Sequence, residues 1–254
     1  MQTIKTMQRK IPPEVAQYLS LMKPFLFPNT SIIPRHLYTC WHTKNLPPLM
    51  QQNYDLIVRN NPEMQVHLYD ETECRAFIQT HFQKEVVEAY DTLIPCSYKS
   101  DLWRFCILYI QGGVYVDIKY KPMNGFRFIG LTDKEHFVRD ADPENIYTAL
   151  IVTMPRNGKL LRCIQQIVQN VKMRFYGACP LEPTGPKLLK RYFTPNEKEN
   201  MNIYHGHKEN INKYYIVYRD RIILQFYPYY REEQANYQKK KRYINLWLEK
   251  KIYA

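Results

Sequence analysis

The segment from Ser100 to Tyr120, SDLWRFCILYIQGGVYVDIKY, limits what this chain can fold into more than any other stretch. Its first half places apolar residues at helical spacing, a Gly-Gly pair breaks the pattern, and the β-prone run GVYV then leads into Asp117. A helix feeding straight into a strand that ends on a carboxylate points to an open α/β sheet, where ligands bind beyond the C-terminal ends of the strands. Asp101 and Arg104 are three residues apart and share a face of the expected helix. Tyr115 and Asp117 are two apart and share one side of the expected strand. Between them, Gly112 and Gly113 permit a tight turn or a close approach of backbone to ligand.

The flanking pattern continues the alternation. Pro34 to His42 (PRHLYTCWH) reads as a first strand, residues 49–60 as a helix, and Met64 to Tyr69 (MQVHLY) as a second strand. Glu71 to Thr80, Gln83 to Tyr90 and Tyr98 to Gln111 read as helices, followed by a strand at Val114 to Asp117 and an apolar run at Arg127 to Ile129. Tyr147 to Thr153 is a further strand, and Lys159 to Arg174 an amphipathic helix. Beyond Pro195 the chain turns polar and Tyr-rich, with strand-like IILQFY at Ile222 to Tyr227 and a helical segment near Gln238 to Lys251. Residues 13–27 predict an amphipathic helix packed on the domain.

With 254 residues the chain can bury roughly 70% of its unfolded surface in one domain. The six cysteines are scattered without C-x-x-C or metal-type spacing, which favours small buried thiols in a reducing compartment. No run reaches the length of a membrane span and no secretory signal pattern opens the chain, so a soluble, cytoplasmic protein is expected, with a viral protein or one carried to a membrane by a partner as the alternatives. The balance of 36 basic and 24 acidic residues, +12 formally, favours an anionic partner. Nucleic acid is one such partner, and the 22 tyrosines could stack on bases, but no nucleic-acid-binding motif accompanies them.

The order S-D-L-W-R followed by G-G-V-Y-V-D resembles the retaining glycosyltransferases with a DXD sugar-binding motif, a group that includes yeast initiating mannosyltransferases and, more distantly, the large glucosylating toxins. PRHLYTCW resembles that family's first strand, PEMQVHLYD its second, YTALIVTMP the strand after the motif, and PTGP a late loop; together they span most of residues 32–190. The resemblance implies an α/β, glycosyltransferase-A-like single Rossmann-type domain with a mixed central sheet flanked by helices. It divides the chain into a helical extension (1–30), a nucleotide-sugar-binding catalytic core (31–195) and a Tyr/Lys-rich region packed on it (196–254).

The implied activity is transfer of a hexose from a UDP- or GDP-sugar to a hydroxyl of a glycan, protein or lipid, with retention of configuration. Trp41 matches an aromatic near the nucleotide base, Asp101 and Arg104 match groups holding sugar hydroxyls and diphosphate, and Asp117 matches the first carboxylate of the motif. Tyr115 orients the sugar or packs. Thr184 and Gly185 of the TGP turn match a donor-side loop. Tyr243 and Trp247, four apart, suit a lid or the core.

Lys119 departs from the pattern, standing at the second aspartate. Either Asp117 still holds Mn²⁺ or Mg²⁺ with another carboxylate such as Asp140 or Asp142, or the lysine ammonium balances the diphosphate. Thr148 and the stretch Asn157 to Lys159 also depart from the family, at positions facing the acceptor. A catalytically inactive nucleotide-sugar-binding protein is the alternative.

Overall fold

The computed structural model describes residues 31–208, 213–237 and 241–254. The helix expected over 13–27 lies outside them, as does the start of the segment expected from Gln238. A mixed nine-stranded sheet runs in the order β2-β1-β3-β6-β5-β7-β8-β9-β4. The β-α-β opening is present: β1 (His36–Cys40), α1 (Pro48–Asn60) and β2 (Gln65–Tyr69), with β1 parallel to β2 and to β3 (Gly113–Val116). Between β2 and β3 lie α2 (Glu71–His81), α3 (Lys84–Thr92) and α4 (Cys96–Gln111). β4 (Tyr120–Pro122) follows; the apolar run at Arg127 to Ile129 becomes a 3₁₀ turn, Phe128–Leu131. β5 (His136–Arg139) and β6 (Ile146–Thr153) precede α5 (Gly158–Lys172), α6 (Pro186–Lys190) and α7 (Pro195–Glu199).

The Tyr-rich region extends this sheet. It supplies β7 (Ile203–Lys208), β8 (Lys213–Tyr218) and β9 (Arg221–Phe226), then α8 (Tyr230–Tyr237) and α9 (Tyr243–Leu248). β7 joins β5 in parallel, and β8 and β9 continue antiparallel to β4.

The sheet must curl. β3 is third and β4 ninth in the order, six interstrand spacings apart, which is about 29 Å in a flat sheet. Only residues 117–119 connect them, and the step from Val116 to Tyr120 spans at most about 14 Å. The sheet therefore wraps until its last edge strand returns beside the end of β3. That closure sets Asp117, Ile118 and Lys119 at the mouth of the curl.

Strand alternation sends side chains to two cores. Tyr38, Tyr115 and Ile151 face the layer of α2 to α5, where Trp103, Phe105 and Leu108 are fully buried. Leu37, Val114, Val116, Leu150 and Val152 face the other core, with Phe126, Phe128, Ile216 and Leu224. Helix α4 is buried on all sides from Asp101 to Leu108, as expected of a helix that does not border solvent. Helix α5 instead buries one stripe, Leu160, Cys163, Ile164, Ile167, Val168 and Val171. Among the described residues no helix is long and apolar enough to cross a membrane.

The Gly-Gly pair serves the fold rather than a ligand. Gly112 and Gly113 have φ of +63° and +106°, and a Cβ would stand 2.7 Å from Pro155 at the first and 2.7 Å from the His36 carbonyl at the second. Only glycine lets α4 end and β3 begin this close to its neighbours.

Candidate active site

The link between β3 and β4 is held by backbone from three sides. Asp117 N donates to the Ala149 carbonyl of β6 at 2.9 Å, Tyr120 N to the Asp117 carbonyl at 3.0 Å, and Tyr227 N to the Lys119 carbonyl at 3.0 Å. Asn53, buried on the inner face of α1, donates its amide to the carbonyls of Ile118 (2.8 Å) and Tyr120 (3.0 Å). Helix α1 begins at proline without a side-chain cap of its own. Glu233 of α8 supplies one, accepting from Leu49 N (2.7 Å), Met50 N (3.0 Å) and Tyr227 Oη (2.7 Å). A carboxylate at a helix N-terminus is favourably placed against the helix dipole.

On this support sits an ion cluster. Asp117 Oδ1 accepts from Tyr115 Oη at 2.7 Å and lies 3.5 Å from Arg104 Nη1, while Oδ2 accepts from Lys119 Nζ at 2.5 Å. Arg104 is caged: Nη1 donates to the Thr148 carbonyl (2.7 Å), Nη2 to Ser100 Oγ (3.2 Å), and the guanidinium covers the Tyr115 ring at 4.5 Å. Its Nη2 also pairs with Asp101 Oδ1 at 3.2 Å, a contact open to residues three apart on one helix face. Asp101 Oδ2 accepts from Thr184 Oγ1 at 2.8 Å, and a Cβ on Gly185 would come within 3.1 Å of the same oxygen.

The two carboxylates are driven apart. Burial raises Asp101 above the ordinary carboxylate value, opposed incompletely by Arg104 and Thr184. Burial would raise Asp117 as well, but Lys119 and Arg104 outweigh it and hold that carboxyl down to about 2. Burial also pushes the Tyr115 hydroxyl well up, so it stays protonated and donates to Asp117.

The cluster opens into a cleft of about 350 Å³. Of the residues proposed from sequence, Trp41, Arg104, Tyr115, Asp117 and Lys119 line it, and Tyr243 does so too. Asp101, Thr184 and Gly185 stand behind Arg104 rather than on the cleft wall. Trp247 packs against the helical core, its Nε1 donating to the Tyr176 carbonyl at 2.6 Å. Asn157 caps α5 through Lys159 N at 2.9 Å, which gives that departure a structural task, whereas Thr148 contributes its backbone carbonyl to Arg104, a bond that any residue there could make. Six basic side chains line the cleft (Lys99, Arg104, Lys119, Arg231, Lys241, Arg242) against two acidic ones, Glu71 and Asp117.

Sequence reasoning missed the opposite wall. Tyr147 and His205 stack in parallel at 3.8 Å, His205 faces Tyr214 at 6.0 Å, and Tyr214 packs on Phe226 at 4.7 Å. Arg231 lies 5.4 Å from the ring centres of Phe226 and Tyr230. His205 Nδ1 meets Asp140 at 3.0 Å, while its buried Nε2 and the buried Trp41 Nε1 have no hydrogen-bond partner among the described residues.

The donor set does not suit a divalent cation. Asp140 bonds His205, and Asp142 accepts from Glu144 N (2.9 Å) and Asn145 Nδ2 (3.0 Å), so both of the carboxylates named as candidate partners of Asp117 have other partners in the structure. Among the described residues no group of three His, Cys, Asp or Glu side chains could hold a metal. A divalent ion on Asp117 would face the Lys119 ammonium, a repulsion of about 8 kcal/mol at 4 Å and an effective dielectric of 20.

Residues 47–134 match the family described as the glycosyltransferase sugar-binding region containing DXD motif. An uncharacterized glycosyltransferase of Acanthamoeba polyphaga mimivirus is 26% identical over 175 residues, covering 66% of this chain and 68% of that protein. A glycosyltransferase-like protein of Saccharomyces cerevisiae is 24% identical over 117 residues, 45% of this chain and 30% of its own length. The PaToxG glycosyltransferase shares the fold, with a TM-score of 0.50 at 16% identity over 63% of this chain and 67% of that one. The match takes in α1, the buried helix α4 and the β3–β4 link, the elements that build the ion cluster, and in this part the chain is similar to the glycosyltransferases with a DXD sugar-binding region.

Proposed function

We propose that this chain transfers a hexose from a UDP- or GDP-sugar to an acceptor hydroxyl on a glycan, protein or lipid, with retention at the anomeric carbon. The single observation that carries the donor reading is the Arg104–Asp117–Lys119 cluster at the base of a cleft rich in basic side chains. Guanidinium and ammonium donors suit diphosphate oxygens, and the Trp41 indole offers a face for the nucleobase.

In the proposed reaction the bond from the anomeric carbon to the diphosphate oxygen breaks and the acceptor oxygen bonds to the same face of that carbon. The departing diphosphate takes the acceptor proton and leaves as nucleoside diphosphate. Arg104 and Lys119 stabilise the charge that grows on the leaving group. Asp117, held ionised by those same groups, orients Lys119 and accepts from sugar hydroxyls; Tyr115 fixes its rotamer.

The test is incubation with a panel of UDP- and GDP-hexoses, reading nucleoside diphosphate release and the anomeric configuration of any product by NMR. Release from at least one donor with retained configuration is expected. An inverted product would refute retention, and donor binding without turnover across the panel would favour the inactive binding protein.

A further inference from the structure

Resting on that donor reading, we infer that the chain holds and discharges the diphosphate with fixed cationic side chains in place of a divalent metal ion, Lys119 being the residue that makes the exchange. The segment Asp117-Ile118-Lys119 resembles a DXD motif with lysine in its third place, and it lies inside the stretch that matches the sugar-binding region. Both oxygens of Asp117 are engaged from within the chain, Oδ1 by Tyr115 and Oδ2 by Lys119.

Lys119 is held in place rather than trailing into solvent. Its carbonyl accepts from Tyr227 N at 3.0 Å, its ammonium lies 5.2 Å from the Phe226 ring centre and 5.8 Å from that of Tyr120, and its side chain is 19% exposed. An ammonium has three donors, of which Asp117 takes one. The others are available to phosphate oxygens entering the cleft that Lys119 lines.

Charge balance assigns a role to the C-terminal segment. With both carboxylates ionised, Asp101 and Asp117 offset Arg104 and Lys119, so the inner cluster offers directed donors but no net charge. Arg231 and Arg242 also line the cleft and have no carboxylate partner among the described residues. Both act electrostatically on Tyr230 and Tyr243, which places them near the same stretch of wall. Together they supply the two positive charges that a divalent ion would bring.

Calorimetric titration of the full chain with UDP and GDP, in EDTA and in Mn²⁺, tests this. Expected is an affinity for one nucleotide that differs by less than about twofold between the two buffers, and that weakens roughly tenfold in EDTA for Lys119→Gln, the scale of one lost charge-assisted hydrogen bond. Lys119→Asp should lose affinity in EDTA and regain it with Mn²⁺, and circular dichroism shows whether each variant is folded. Wild-type binding that is abolished by EDTA and restored by Mn²⁺ overturns the inference while leaving the donor reading intact. A folded wild-type chain that binds neither nucleotide in either buffer overturns both.

Discussion

Lys119 Nζ and Asp117 Oδ2 are 2.5 Å apart, and both side chains rise from the three-residue link that closes the curled sheet. This pairing has a pH signature. The ordinary carboxylate value of 3.8 falls to about 2 in the folded chain, because Lys119 and Arg104 outweigh burial. A depressed carboxylate contributes stability above its unfolded value and loses it as pH falls through the folded one. The contribution is about 2 kcal/mol at neutral pH. Urea unfolding of wild type and Asp117→Asn should therefore show a gap at pH 7 that narrows toward pH 2.5; a gap independent of pH would contradict the assignment. Asp101, raised by burial, carries the opposite sign: its ionised form costs stability above the ordinary carboxylate value.

Asn53 is a positioning residue. Replacing it by leucine leaves the carbonyls of Ile118 and Tyr120 without their amide donor, a cost of about 1–3 kcal/mol. Because those carbonyls flank Lys119, kcat/KM should fall as well. Ile167→Val, a loss of about 1 kcal/mol in the α5 core, serves as the control and should keep kcat/KM. Equal loss of kcat/KM in the two variants would reduce Asn53 to a stability role.

Glu233 ties the C-terminal segment to α1. Glu233→Gln keeps the shape but removes the charge at the helix start, and a drop of about 1–2 kcal/mol in unfolding free energy is expected. An unchanged midpoint in thermal and urea unfolding would count against the cap.

Trp41 lines the cleft wall, where the proposed donor would stack its base. Base stacking on an aromatic is worth about 1–3 kcal/mol, so Trp41→Ala should weaken nucleotide affinity roughly tenfold or more with unchanged stability. An unaltered dissociation constant would place the base elsewhere.

Much of the fold was legible because it is written in local periodicity. The β-α-β opening, the buried helix α4, the strand at Gly113–Val116 and the stripe of α5 carry clean 2- and 3.6-residue patterns. So was the convergence of Asp101, Arg104, Tyr115 and Asp117, since three- and two-residue spacings fix shared faces. The curl of the sheet was not, because it depends on β4 pairing with β9 a hundred residues later, and three-residue strands such as β4 leave no periodicity. The aromatic wall was hidden for the same reason: Tyr147, His205 and Tyr214 meet only through β6, β7 and β8. Asn53 left a signal, a polar residue on the face of α1 that buries Met50 and Ile57. Gly112 and Gly113 left two readings open, a tight turn or a ligand approach, because the residue type that lets a ligand approach backbone also lets backbone approach backbone.

The most direct test of the donor site is nucleoside diphosphate release from the UDP- and GDP-hexose panel by wild type, Asp117→Ala and Arg104→Ala, each shown to be folded. Wild type is predicted to release product from at least one donor, and both variants to lose on the order of a hundredfold or more in rate, as expected when groups facing a developing charge are removed. Folded variants that release nucleoside diphosphate at the parent rate would contradict the account.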